Sequence, residues 1–204
     1  MYFCNAKPDY MDFIERYRQL IQTSIRLLVE PGKFWKEKKE EEGSNRIFKD
    51  FFLPLVLLVG LAVFVGELIT SSEFLLSYAI AKSVREIASY VIQYFLSVYL
   101  LNELLTSFGG VKDKLAMSRL VAYSLLPFLI VSLVTGLFPA LYVLNVVGLY
   151  GLVLFVLGVK GSLEIPVNNQ NRYIMIAFLL IFLIFTLVNV FCWKLLQAFY
   201  GYGV

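Results

Sequence analysis

The chain has no histidine among its 204 residues. That excludes Ser-His-Asp chemistry, His-ligated zinc or haem, and imidazole proton relays. Cysteine is almost as scarce. Cys4 and Cys192 are the only two, near opposite ends of the sequence, so neither a disulfide between them nor a thiolate metal site is expected. Charge is sparse too: Asp, Glu, Lys and Arg make up 16% of the residues and leave a net charge of +3, which is no footprint for nucleic acid. The first 47 residues lack the continuous apolar core of a cleavable secretory signal, so this segment is expected to be retained. No phosphate-binding loop is present: Gly109-Gly110-Val111-Lys112 lacks the spacing and the following Ser or Thr of a Walker sequence and reads as a turn.

Apolar residues fill the gap. They account for 59% of the chain, with a mean hydropathy of +0.75, too much for a water-soluble surface. A bilayer core of roughly 30 Å needs about 20 apolar helical residues. Four stretches qualify: 51–66, extending past Glu67 to about 69, then 87–102, 120–159 and 173–193. The third runs 40 residues without a charge and as one helix would be about 60 Å long, twice the hydrocarbon thickness. It must fold back, and Thr135-Gly136-Leu137-Phe138-Pro139 is the breaker near its middle.

The expected fold is therefore an all-α integral membrane protein: a five-helix bundle over 48–200, with spans near 48–69, 84–105, 118–135, 139–159 and 173–195. Residues 1–47 form a cytosolic segment. With five spans, fifteen of the 18 Lys and Arg residues fall on one side and Lys82, Arg85 and Lys194 on the other. The positive-inside rule then sets the N-terminus in the cytoplasm and the C-terminus outside.

Within residues 10–29, Phe13, Ile14, Tyr17, Leu20, Ile21, Ile25 and Leu28 recur at steps of three and four, while Arg16, Arg18, Gln19, Gln22 and Arg26 take the other surface. The spacing predicts an amphipathic helix lying on the cytosolic membrane face or against the bundle. Pro31-Gly32 ends it, and Phe34-Trp35 beside Lys33 and Lys36 reads as an interfacial anchor. Ten basic and nine acidic side chains in 1–50 leave apolar burial, not charge, as the source of membrane affinity. The charged run 36–42 reads as a solvated surface or a docking site for a charged partner.

Inside the second span, Glu86, Ser89, Tyr90, Gln93 and Ser97 share one helical face. Lipid offers polar groups no partners, so the face should look into the bundle, as a hydrophilic pocket or as interhelical hydrogen bonding. Glu67, Arg85, Glu86 and Glu103 are ionisable groups near the expected boundaries, suited to anchoring or to transport. Asn145, Gly148, Gly151, Phe155 and Gly158 line one side of the fourth span and allow close helix approach. Tyr123 and Pro127 are four apart on the third. The proline withdraws the helical hydrogen bond from the Tyr123 carbonyl, giving a hinge or a static kink. No paired carboxylate at mid-depth and no intramembrane Ser/Lys arrangement exists, so no enzyme and no cofactor is expected.

SFGGVKDKLAMSRLVAYSLLPFLI (107–130) resembles the loop and third span of the Yip family, the Ypt/Rab-interacting integral membrane proteins, with Tyr123 and Pro127 in its (A/G)YxxxP signature. RLLVEPGKFW (26–35) resembles its cytosolic P-x-x-F/W element through Pro31, Phe34 and Trp35, and LYGLVLFVLGVKGSLEIP (149–166) its fourth span. Gly109 and Gly110 stand in the family's glycine turn. The resemblance, closest to the prokaryotic branch, implies a five-helix membrane domain that organises or scaffolds membrane components in a prokaryotic plasma (inner) membrane. Its partners would be the lipid bilayer, other membrane proteins or the chain itself. The short segment before the first span departs from eukaryotic members, so no Rab-type GTPase is expected. The competing reading is a transporter of a small solute, ion or lipid, using Glu86, Tyr90, Gln93, Ser97, Tyr123, Pro127, Asn145 and Asn189.

Overall fold

The computed structural model describes residues 9–40, 46–71 and 75–201, and these are helical with no strand among them. Cys4 and residues 41–42 of the charged run lie outside the described residues, as do the side chains of Phe13, Ile14 and Arg16. The chain begins with α1 (Asp9–Val29) and α2 (Pro31–Glu40). A π-helical turn (Phe48–Phe52) leads without a break into α3 (Leu53–Thr70), with Pro54, which has no N–H to give to the preceding turn, just after the junction. Next come α4 (Leu76–Ser107), α5 (Lys114–Ser124) and α6 (Leu126–Leu137). A 3-10 stretch (Pro139–Leu144), α7 (Asn145–Gly148), α8 (Tyr150–Ser162) and α9 (Val167–Tyr200) complete it.

Four helical segments are long and apolar enough to cross a membrane: Phe48–Thr70, Lys114–Leu137, Pro139–Ser162 and Val167–Tyr200. The long charge-free stretch does fold back, with α6 ending at Leu137 and the next helical turn starting at Pro139. The expected second span is not among the four, so five expected spans stand at four on length and composition. It lies within α4, whose 32 residues are ample in length. Its apolarity is diluted by Ser89, Gln93 and Ser97, each 2% exposed. Those side chains face the protein and not its surroundings, a distinction composition alone does not register.

α4 and α9 lie side by side and are clasped at three levels. Tyr173 donates its hydroxyl hydrogen to the Leu101 carbonyl (3.2 Å), Asn169 its amide to Phe108 (3.1 Å), and Tyr200 its hydroxyl to Ser77 (3.1 Å). α3 packs between α4 and α6. The α3–α6 approach is so close that a Cβ on Gly66 would fall 1.8 Å from the Gly136 carbonyl oxygen. Lys82 at the start of α4 pairs with Glu67 at the end of α3 (2.6 Å), and Lys112 with Glu103 (2.6 Å). These boundary carboxylates thus meet basic partners from the adjoining loop or helix end.

The glycine turn has a definite geometry. Gly109 has φ +79°, its N–H bonds the Thr106 carbonyl (3.2 Å), and the Gly110 N–H bonds Leu105 (3.1 Å). This is the Schellman arrangement that ends a helix on a left-handed residue. Asp113 then caps α5, accepting from the Leu115 and Ala116 N–H groups at 2.9 and 3.0 Å.

Candidate functional site

The polar face of α4 opens on a cavity of about 330 Å³, lined by Glu86, Ser89, Tyr90 and Gln93, by Phe128 and Ser132 of α6, by Asn145 of α7, and by Phe185 and Asn189 of α9. Four of the expected site residues, Glu86, Tyr90, Gln93 and Asn145, are therefore brought together from separate helices. Helix periodicity explains the α4 group: positions 86, 89, 90 and 93 fall on one side. The backbone on the opposite wall is broken. The third span is interrupted at Leu125, two residues before Pro127, and the fourth is 3-10 and short α7 before α8 begins. Irregular backbone at membrane depth is tolerated where protein buries it or where it lines a cavity.

Several polar groups here have partners. The Tyr90 and Ser132 hydroxyls share a hydrogen bond, Ser89 donates to the Arg85 carbonyl (2.8 Å), and Asn189 donates to Phe185 (2.9 Å). Arg85 pairs with Glu86 and also lies over the Trp193 ring, 5.6 Å from its centroid. Phe128 and Phe185, with centroids 5.7 Å apart, join α6 to α9 beside the cavity.

Ser97 stands one turn further along α4 and is not on this cavity. It borders a separate space of about 20 Å³ with Ser124 and Phe155, about the room one water needs. The Ser97 and Ser124 hydroxyls are buried there without a hydrogen-bond partner among the described residues.

Tyr123 and Pro127 are not on the large cavity either. Tyr123, 4% exposed, is the hub of an aromatic cluster: its ring meets Phe34 (4.9 Å), Phe51 (4.9 Å) and Trp35 (5.7 Å) edge-on. Such edge-to-face contacts suit the ring quadrupole. Phe34 and Trp35 were expected to anchor at the lipid interface, but they are 3% and 2% exposed. Trp35 rests on α8, where a Cβ on Gly158 would come within 2.7 Å of its ring and one on Gly161 within 3.0 Å of its Cβ. The Trp35 indole N–H has no hydrogen-bond partner among the described residues, and the ring is held there by packing. α2 lies along α8, and Tyr150 of α8 donates to the Leu28 carbonyl at the end of α1 (3.2 Å).

The remaining glycines of the fourth span are filled similarly. A Cβ on Gly148 would meet Phe128 at 2.8 Å, and one on Gly151 the Ser124 carbonyl at 2.4 Å. α1 turns Leu20 and Leu27 inward, yet Tyr17, Ile21, Ile25 and Val29 remain exposed as a second apolar stripe at steps of four. A third hollow, about 300 Å³, lies between Val111, Asp113 and Arg119 on one side and Ser162 and Glu164 on the other, beside the Gly109-Gly110 turn.

The sequence reasoning missed Ser132, Phe128 and Phe185 as cavity lining. Ser132 carried a weak signal, being one of few hydroxyls in an apolar span; the phenylalanines carried none among 18 in the chain. It also missed the Arg85–Trp193 contact, which joins residues more than a hundred positions apart.

No curated protein and no solved structure matches the chain. The Yip1 domain model matches residues 25–189, a stretch that takes in the Phe34-Trp35 element, the glycine turn, Tyr123 with Pro127, and every residue lining the large cavity. By that match, which spans most of its length, and by its apolar helices, the chain is an integral membrane protein belonging to the Yip1 domain family.

Proposed function

We propose that this is a non-enzymatic, five-span membrane protein whose α1–α2 hairpin is a fixed cytosolic platform for organising other membrane components or copies of itself. α4 would be the second span: its polar side chains are sequestered against the protein, so its outward surface, with Ile80, Val84, Ile92, Phe95, Leu96 and Tyr99, is apolar. Five crossings put the N-terminus in the cytoplasm and the C-terminus outside, in a prokaryotic plasma membrane.

The observation that carries the platform reading is the burial of Phe34 and Trp35 against Tyr123 and the α8 glycines. α2 so held is part of the bundle, not a tethered arm, and α1 is joined to it through the buried Leu20 and Leu27 and the Arg26–Glu37 ion pair. Its exposed Tyr17, Ile21, Ile25 and Val29 suit the headgroup region of the bilayer. Purification from native membranes tests this. A partner, or a second copy, that travels with the wild-type protein and is lost with Trp35→Ala supports the platform. Unaltered recovery with Trp35→Ala, at equal folded amounts, overturns it.

The large polar cavity favours a second reading, passage of a small solute, ion or lipid. Flux in proteoliposomes that disappears with Gln93→Leu would support it. No flux with any solute, alongside a stable partner, would leave the platform reading standing.

A further inference from the structure

The chemistry of the large cavity selects a ligand class, independently of the platform reading. Gln93 is 2% exposed and lines the cavity. A buried amide is costly unless its N–H and carbonyl groups are hydrogen-bonded, and a polar group held in this cavity would be placed to serve them. Asn145 and Asn189 add two more carboxamides, and Ser89, Tyr90 and Ser132 add hydroxyls. Amides and hydroxyls both donate and accept, so they match a ligand whose groups do the same.

Charge narrows the choice. Glu86 is neutralised by Arg85, which is held in turn against Trp193. Neither a phosphate nor an ammonium would find an uncompensated counter-charge here. The Phe128–Phe185 pair supplies an apolar wall, and about 330 Å³ is at the lower end for small-molecule sites.

The open side is lateral. α9 packs along α4, and α7 folds back on α6, whereas α7 and α9 share no extensive packing among the described residues. Asn145 and Asn189 are both exposed at that seam, amid exposed Val146, Leu149, Phe182 and Val190. In hydrocarbon, lipid tails offer these carboxamides nothing, and Asn189 spends only one amide hydrogen, on the Phe185 carbonyl. From this geometry we infer that the cavity binds an uncharged polyhydroxylated group, a sugar or glycerol moiety, entering between α7 and α9. Such a group comes either on a lipid headgroup or as a free sugar.

The test uses the full chain in phosphatidylcholine nanodiscs. In the first arm, monoglucosyl diacylglycerol is doped into the disc and the lipid retained on the released protein is read by native mass spectrometry. In the second, free methyl glucoside is titrated and followed by Trp fluorescence, Trp193 being beside Arg85. Retention of the glucosyl lipid over phosphatidylcholine, reduced roughly tenfold by Gln93→Leu with Asn189→Leu as two hydrogen bonds are removed, is the expected result. Binding of methyl glucoside alone, with the same dependence, supports the cavity and identifies the source as soluble. Equal retention of glucosyl lipid and phosphatidylcholine, binding of neither probe, or binding indifferent to the variants overturns the inference. Asn189→Leu alone, at an exposed position that does not threaten packing, keeps the test decisive if the double variant fails to fold: it should lower retention severalfold.

Discussion

Trp35 of α2 and Gly158 of α8 fit as ring and groove: a Cβ added at Gly158 would lie 2.7 Å from the Trp35 Cζ2 and 2.4 Å from Leu120 Cδ1. Two motifs more than a hundred residues apart in sequence therefore form one contact. It ties the hairpin to the bundle, and its energetics can be read by substitution.

Gly158→Val should destabilise the folded protein by about 1–3 kcal/mol through overpacking. Trp35→Ala should cost about 3–5 kcal/mol through the cavity it leaves. Because the two side chains compete for one space, the double variant should cost less than the sum of the singles. Thermal unfolding in detergent measures the three, and limited proteolysis of residues 9–40 reports release of the hairpin. Strict additivity would mean that the two positions do not touch.

At the α4 terminus, Gly109 and Gly110 are needed for different reasons. Gly109 sits at φ +79°, so Gly109→Ala should cost about 1–2 kcal/mol in backbone strain, and Gly109→Asn less, since asparagine tolerates that region. Gly110 has ordinary backbone, but a Cβ there would approach Leu105 Cγ to 2.7 Å. The Gly110→Ala penalty should therefore be relieved by Leu105→Ala, whereas that of Gly109→Ala should not. Melting temperatures of these single variants, and of Leu105→Ala combined with each glycine replacement by alanine, separate strain from clash.

The Tyr90–Ser132 hydrogen bond joins α4 to α6 across the cavity wall. Within a membrane protein such bonds contribute about 0.6 kcal/mol on average, so Tyr90→Phe and Ser132→Ala should each be mild. Their coupling in a double-mutant cycle should be of similar size. Coupling near zero by chemical denaturation would show that each hydroxyl has an equally good alternative partner.

How far the sequence foretold this arrangement differs from part to part. The hairpin at 135–139 was legible because 40 uncharged residues are too long for one crossing, and the turn at Gly109-Gly110 because glycine pairs mark chain reversals. The α4 face was legible from periodicity alone, since residues 86, 89, 90 and 93 must share a side. What they would meet was legible only in part: Asn145 and Asn189 could be grouped with them as polar residues in apolar spans, but Ser132, Phe128 and Phe185 reach them through tertiary packing that no local signal encodes. Phe34 and Trp35 were misread because aromatic residues beside lysines are common at interfaces. Their destination depends on glycines at 158 and 161 that only the tertiary fold brings near.

The remaining prediction concerns α4 itself, on which both readings of the function depend. If α4 crosses the bilayer, the chain makes five passes and its ends lie on opposite sides. Lys36 and Gly201 are both exposed, near the two ends of the described chain. Single cysteines at these positions, in a background with Cys4 and Cys192 replaced by serine and alanine, report the side directly. A membrane-impermeant maleimide applied to sealed right-side-out cells should label the Gly201→Cys protein and leave the Lys36→Cys protein unlabelled until the membrane is opened. Labelling of both from the same side would make the number of crossings even. α4 would then have to lie along the membrane, although Ser89, Gln93 and Ser97 are buried inside the bundle, and the cavity could no longer be an intramembrane site.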